Sequence, residues 1–251
     1  MNKELSSLIL TGTIGLFSLI GIAINGFFGS KNRKKIVDFI YGALFSVITM
    51  ITLIYLMPEI YNCLGFKQLY LSFIFLGVGY ITMKVVSKYY DLPKKEKRTK
   101  KEMIKTDNYI ATMLLLVFAF YNLIVGLEIY STILANMEEG IQQVIITSFK
   151  NSFIGFLFFY LLNQENISKT KKRIAILSFT FTPLIGNIFM LCINKTSNAT
   201  ILGCSFSLIV GMFLFILVTE IIANIKKSKN KKSAILGLVI GTIWIAISYI
   251  L

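Results

Sequence analysis

The sequence predicts an all-α polytopic membrane protein with eight transmembrane helices in a 3+2+3 inverted-repeat arrangement. Three observations carry that expectation. Apolar residues make up 55% of the 251-residue chain, and they fall into continuous runs of about 20 residues, the length a helix needs to cross hydrocarbon. These runs lack the apolar–polar alternation of a barrel strand, so helices are the spanning element. Basic residues gather in every second connection, and the second and seventh runs carry similar endings in opposite senses.

Taken in order, the spans are expected over approximately 5–28, 36–56, 69–87, 109–130, 141–162, 174–193, 199–225 and 233–251, within one transmembrane domain over residues 1–251. The first begins at the N-terminus without a small-residue cleavage site, so it reads as a span and not as a signal peptide. Its Gly12, Gly15, Gly21, Gly26 and Gly29 are read as close-packing positions, as are Gly77 and Gly79 in the third and the Gly237/Gly241 pair in the eighth. Small residues let helix backbones approach in lipid, within the chain or in a homodimer. The second span runs from Met50 towards Pro58-Glu59-Ile60, and the seventh from Met212 towards Thr219-Glu220-Ile221. One runs outward and the other inward, which places Glu59 at an outer mouth and Glu220 at an inner one. That is the signature of an inverted repeat in which spans one to three mirror spans six to eight around a central pair.

Orientation follows from the Lys/Arg bias. The first connection holds Lys31, Arg33, Lys34 and Lys35, the fifth Lys169 to Arg173, and the seventh Lys226 to Lys232. The third, a basic loop over 88–106, holds eight Lys/Arg residues from Lys88 to Lys105. All four lie on one side, against Lys3, Lys67 and Lys195 on the other. The bias puts the loaded side in the cytoplasm and both termini outside, in a multi-pass protein of the cell membrane. The net charge of +14 is therefore a topology signal meeting anionic headgroups. No compact basic domain points to nucleic acid, and the lipid bilayer is the expected partner. Cys63, Cys192 and Cys204 have no metal-binding or redox spacing and read as small apolar fillers, with a Cys63–Cys192 disulfide left open.

The central pair concentrates the polar residues. Tyr121-Asn122 in the fourth span and Lys150-Asn151 in the fifth each have Gly four residues after the Asn, at Gly126 and Gly155. A short outer loop makes these spans antiparallel neighbours with both frames at middle depth. An unpaired lysine at the bilayer centre costs about 2.5–3.5 kcal/mol, so Lys150 needs a partner. Glu128, one turn beyond Val125 on the same face, is the expected partner, with Asn122 and Asn151. The alternative is a Lys150 side chain that snorkels to the outer interface.

With these frames the chain resembles the ZIP metal-ion transporters over nearly its whole length. The resemblance includes the eight spans, the basic loop between spans three and four, Leu56-Met57-Pro58-Glu59, Thr182-Pro183-Leu184, and the stretch from Gly211-Met212 to Glu220. In that family the fourth span carries His-Asn-x-Pro-Glu-Gly and the fifth a similar motif, whose His, Asn and Glu ligate the transported divalent metal. The frames here are Tyr121 to Gly126 and Lys150 to Gly155. Tyr121 and Lys150 replace the histidines, Val125 and Ile154 the glutamates, both prolines are gone, and the chain contains no His.

The resemblance implies a transporter of a divalent metal cation such as zinc, with an altered central site. Asn122, Asn151 and Glu128 would be the metal-facing residues, and Glu59 and Glu220 the mouth acids. Two amides cannot replace imidazole and carboxylate for a borderline-soft ion. The alternative is a non-transporting homologue that acts as a membrane scaffold or regulatory partner. No resident cofactor is expected, and no nucleophile–base constellation indicates an enzyme. Asn166-Ile167-Ser168, Asn194-Lys195-Thr196 and Asn198-Ala199-Thr200 match glycosylation sequons, which matter only on a eukaryotic secretory route.

Overall fold

Eight helices are long and apolar enough to cross a membrane among the described residues, and no strand accompanies them. The computed structural model describes residues 3–25, 33–89, 100–164, 168–193, 198–228 and 230–250, without the side chains of 25, 33–34, 100–109 and 164. The helices are α1 (Lys3–Asn25), α2 (33–64), α3 (Leu69–Tyr89), α4 (Lys100–Ala135), α5 (Met137–Gln164), α6 (Lys169–Ile193), α7 (Ala199–Lys227) and α8 (Lys231–Ser248). The expected basic loop lies mostly outside the described residues, and α4 already begins at Lys100. Lys31 and the first two sequon asparagines also lie outside them. Asn198 caps α7, its Oδ1 accepting from Thr200 N at 2.9 Å. All three cysteines are free thiols.

Two helices are not regular. In α2 a π-helical segment over Ile51–Leu56 joins Arg33–Met50 to Met57–Leu64, so the helix continues past the expected end at residue 56. Pro58 falls in the first turn after that segment, where its missing N–H breaks no regular ladder. Gly65, at φ 60°, then turns the chain towards α3. In α7 a second π-helical segment spans Leu217–Ile221. Pro183 sits inside α6 and leaves the carbonyl of Phe179 without its usual donor. The Thr182 hydroxyl supplies one, at 3.1 Å.

Helix pairing is set by glycine. The principal pairs are α1 with α5, α4 with α6, α2 with α8 and α3 with α7. In each, a glycine on one helix lies against a backbone carbonyl three residues before a glycine on the other, and the relation is reciprocal. Gly21 meets Ser152 O while Gly155 meets Ser18 O, and Gly126 meets Pro183 O while Gly186 meets Leu123 O. Gly42 meets Ala234 O while Gly237 meets Phe39 O, and Gly79 meets Leu208 O while Gly211 meets Leu76 O. Any Cβ at these eight positions would run into main chain, which cannot swing aside. This is small-residue packing of the kind expected in lipid, where close backbone approach gains dispersion and weak Cα–H···O contacts. Each pair joins two odd or two even spans, so its members run parallel if every span crosses.

Further contacts join α4 to α5, α1 to α6, the 57–64 portion of α2 to α7, and α4 to α7, with smaller ones from α5 to α8 and α2. Between α1 and α6, buried Asn187 donates to Thr11 Oγ1 at 2.7 Å and accepts from Ser7 Oγ at 3.2 Å. That amide is structural, with both its oxygen and its nitrogen paired.

Candidate functional site

The two frames of the central pair meet. Asn151 Nδ2 donates to Asn122 Oδ1 at 3.0 Å, joining α5 to α4. Both side chains are buried, and Asn122 Nδ2 and Asn151 Oδ1 are left without a partner. The Tyr121 hydroxyl is buried and unpartnered too, while its ring stands edge-on to Tyr55 at 6.3 Å and tilted against Phe213 at 6.3 Å. Thr52 Oγ1, Ser148 Oγ and Gln143 Oε1 are likewise buried and unpaired. A buried polar group without a partner costs about 1–3 kcal/mol, and these six are found among the described residues.

Lys150 lies midway along α5 and is 1% exposed, so it does not snorkel out of the helix bundle. Its partners differ from those expected. The ammonium sits 4.3 Å from the ring centroid of Tyr55 and 5.0 Å from that of Tyr249, and donates to the Tyr249 hydroxyl at 3.4 Å. Glu128 instead accepts a short hydrogen bond from the Tyr55 hydroxyl. Gln143 Nε2 approaches the same hydroxyl at 3.4 Å. The physical reason is competition for partners. The two amides share one hydrogen bond, the phenol takes the carboxylate, and the ammonium is left with two tyrosine rings and one tyrosine hydroxyl. Tyr55 therefore stands between the two charges, with a cation on its ring and an anion on its oxygen.

The local sequence accounts for this placement. Tyr55 lies within the π-helical segment of α2, whose wider turn re-aims side chains relative to a regular helix. Tyr249 follows the last turn of α8. The neighbouring Trp244 stacks on Phe149 at 4.5 Å and donates to its carbonyl at 3.1 Å, which ties α8 to α5 beside Lys150. Glu59, one turn beyond Tyr55, is half-buried in the helix that follows the π-helical segment. Glu220, the expected inner-mouth acid, lies within the π-helical segment of α7 and is buried.

Sequence reasoning did not single out Tyr55, Tyr249, Gln143 or Trp244. Gln143 carried a signal, a polar amide inside an apolar run. The aromatic residues carried none, because in an apolar span a tyrosine looks like core. The buried side-chain oxygens left without a partner among the described residues are Asn151 Oδ1, Gln143 Oε1 and the hydroxyls of Tyr121, Ser148 and Thr52, and the acid bonded at this junction is Glu128. Among the described residues no group of three or more His, Cys, Asp or Glu could hold a metal ion. This does not fit a zinc ligand set. No protein-family model matches the chain, and no curated protein matches it.

Proposed function

We propose that the chain is a membrane transporter of ZIP-like architecture, moving a metal cation past a central site altered by Lys150. The observation that carries this reading is the buried polar cluster at the junction of α4 and α5. Polar and charged groups inside membrane bundles are expensive and mark ion paths, and this cluster holds Tyr121, Asn122, Asn151, Glu128 and Lys150 together with Tyr55. The helix pairing supports the 3+2+3 frame. Exchanging α1–α3 for α6–α8 turns the α1–α5 pair into α6–α4 and the α2–α8 pair into α7–α3. The Lys/Arg bias supports a cell-membrane protein with basic loops in the cytoplasm and both termini outside. The lipid bilayer is its main partner, and the exposed apolar face of α3 leaves room for a second copy.

The donor chemistry narrows the cargo. Oxygen-only ligands favour a hard cation such as Mg²⁺, Ca²⁺ or Mn²⁺ over a borderline-soft one. The ammonium competes with it. At an effective dielectric of 20, a divalent ion within 4 Å of Lys150 Nζ meets about 8 kcal/mol of repulsion. Cargo and ammonium therefore exclude each other from the same seat. That exclusion also favours a second reading, a non-transporting relative that keeps the frame as a scaffold or regulatory partner.

Flux of Mg²⁺, Ca²⁺, Mn²⁺ and Zn²⁺ into liposomes containing the purified protein tests both. Uptake of a hard ion, changed in rate by Lys150→Met, supports transport. No flux from either protein overturns it in favour of the second reading.

A further inference from the structure

A groove lies between α1, α2, α5 and α8, with a volume of about 630 Å³. Its walls are apolar, formed by residues such as Ile24, Ile36, Phe39, Phe156 and Ile240. The polar atoms of its deep wall are already paired. Ser152 Oγ donates to Phe149 O at 2.7 Å and Trp244 Nε1 to the same carbonyl at 3.1 Å. Nothing there calls for water. At the other end the lining is Lys35 and Ser233, in the first turns of α2 and α8.

We propose that this groove holds one acyl chain of an anionic phospholipid, with the phosphate on Lys35. Three features argue for that occupant. The groove is polar at one end only, which matches a molecule with a charged head and an apolar tail. Its length matches one leaflet: from Ser233 to Trp244, eleven residues along α8, is about 16 Å at 1.5 Å per residue, and half of a bilayer's hydrocarbon is about 15 Å. The charge at the mouth is positive and available. Lys35 is exposed, as are Lys231 and Lys232 at the start of α8. The nearby carboxylate of Asp38 accepts from Asn230 N at 3.3 Å. Basic pockets between membrane helices on the lysine-rich side recognise anionic headgroups in this way. The tail end would rest on stacked Phe153 and Trp244, 5.2 Å apart. This proposal does not depend on transport.

Native mass spectrometry of the delipidated full-length protein tests it, using phosphatidylglycerol and phosphatidylcholine with identical chains. Wild type should retain one phosphatidylglycerol in preference to phosphatidylcholine. Lys35→Gln should weaken phosphatidylglycerol about fivefold, the worth of one lysine at an anionic headgroup, and leave phosphatidylcholine unchanged. Ile240→Trp should fill the groove and exclude both lipids. If Ile240→Trp does not fold, Lys35→Gln alone decides. Equal retention of the two lipids, or an unchanged Lys35→Gln variant, overturns the proposal. So does displacement by glycerol phosphate alone, which would make the site a simple anion site.

Discussion

Tyr55 can be tested apart from its neighbours, because its hydroxyl and its ring do different things. Tyr55→Phe keeps the face that Lys150 lies over at 4.3 Å and removes only the donor to Glu128. Glu128 is 8% exposed, so water does not readily replace the phenol. A hydrogen bond to a charged group contributes about 1.5–3 kcal/mol, and a buried acceptor left without one costs its desolvation. Gln143, which donates to the Tyr55 hydroxyl at 3.4 Å and is within reach of the Glu128 carboxylate, offers a partial substitute, which puts the expected loss near the lower end, about 1.5 kcal/mol. For a chain of this size that is about 3–6 °C in Tm. Denaturation followed through Trp244, the single tryptophan, reads the change. The discriminating measurement is the double-mutant cycle with Glu128→Leu, which removes the acceptor. If the phenol acts through the carboxylate, Tyr55→Phe should cost about 1.5 kcal/mol more in wild type than in the Glu128→Leu background. A loss below about 0.5 kcal/mol, or the same loss in both backgrounds, would refute the claim that Tyr55 tethers Glu128.

Three other outcomes follow from the same geometry. Lys150→Met should change stability by no more than about 1 kcal/mol, because cation–π contacts of about 1–2 kcal/mol each offset an insertion cost of about 2.5–3.5 kcal/mol; a loss above about 3 kcal/mol in the same assay would mean a tight ion pair instead. Gly186→Ala should cost about 1–3 kcal/mol by pushing α6 off the Leu123 carbonyl of α4, whereas Gly77→Ala, with open space around it, should be neutral or slightly stabilising, and equal effects would refute the packing argument. Saturating Zn²⁺ should leave Tm unchanged, since binding at a hundred times Kd would add about 2.7 kcal/mol, and a clear upward shift would reveal a ligand set not visible here.

The membrane spans were legible because hydropathy over 20 residues is a burial signal that needs no knowledge of neighbours. The meeting of Asn122 with Asn151 was legible for a related reason: a short connection forces α4 and α5 together, and matching depth does the rest. The partners of Lys150 were not legible. Finding them requires knowing that α2 and α8 flank α5, and that information lies in glycines far apart in the chain. Gly42 and Gly237 read as small residues in sequence, with nothing to say that each would meet the other's helix. The π-helical segments were hidden for a different reason. They are changes of backbone hydrogen-bond register, and Ile51–Leu56 and Leu217–Ile221 have the composition of ordinary apolar helix.

The same contacts explain the residues of the two central frames, Tyr121 to Gly126 and Lys150 to Gly155. Gly126 and Gly155 lie against the main-chain carbonyls of Pro183 and Ser18, so a side chain at either position would separate a helix pair. Asn122 and Asn151 bond each other across the central pair, and replacing either with an apolar residue would strand a buried amide. The four positions that agree with the frames are thus held by packing and by a mutual hydrogen bond, neither of which requires an ion. At the other positions of these frames Tyr121 and Lys150 belong to an aromatic and ammonium cluster, and Val125 and Ile154 are fully buried apolar core. A helix frame fixed by backbone contact therefore leaves the chemistry of its centre to other residues, and here Tyr55, Glu128 and Lys150 set it.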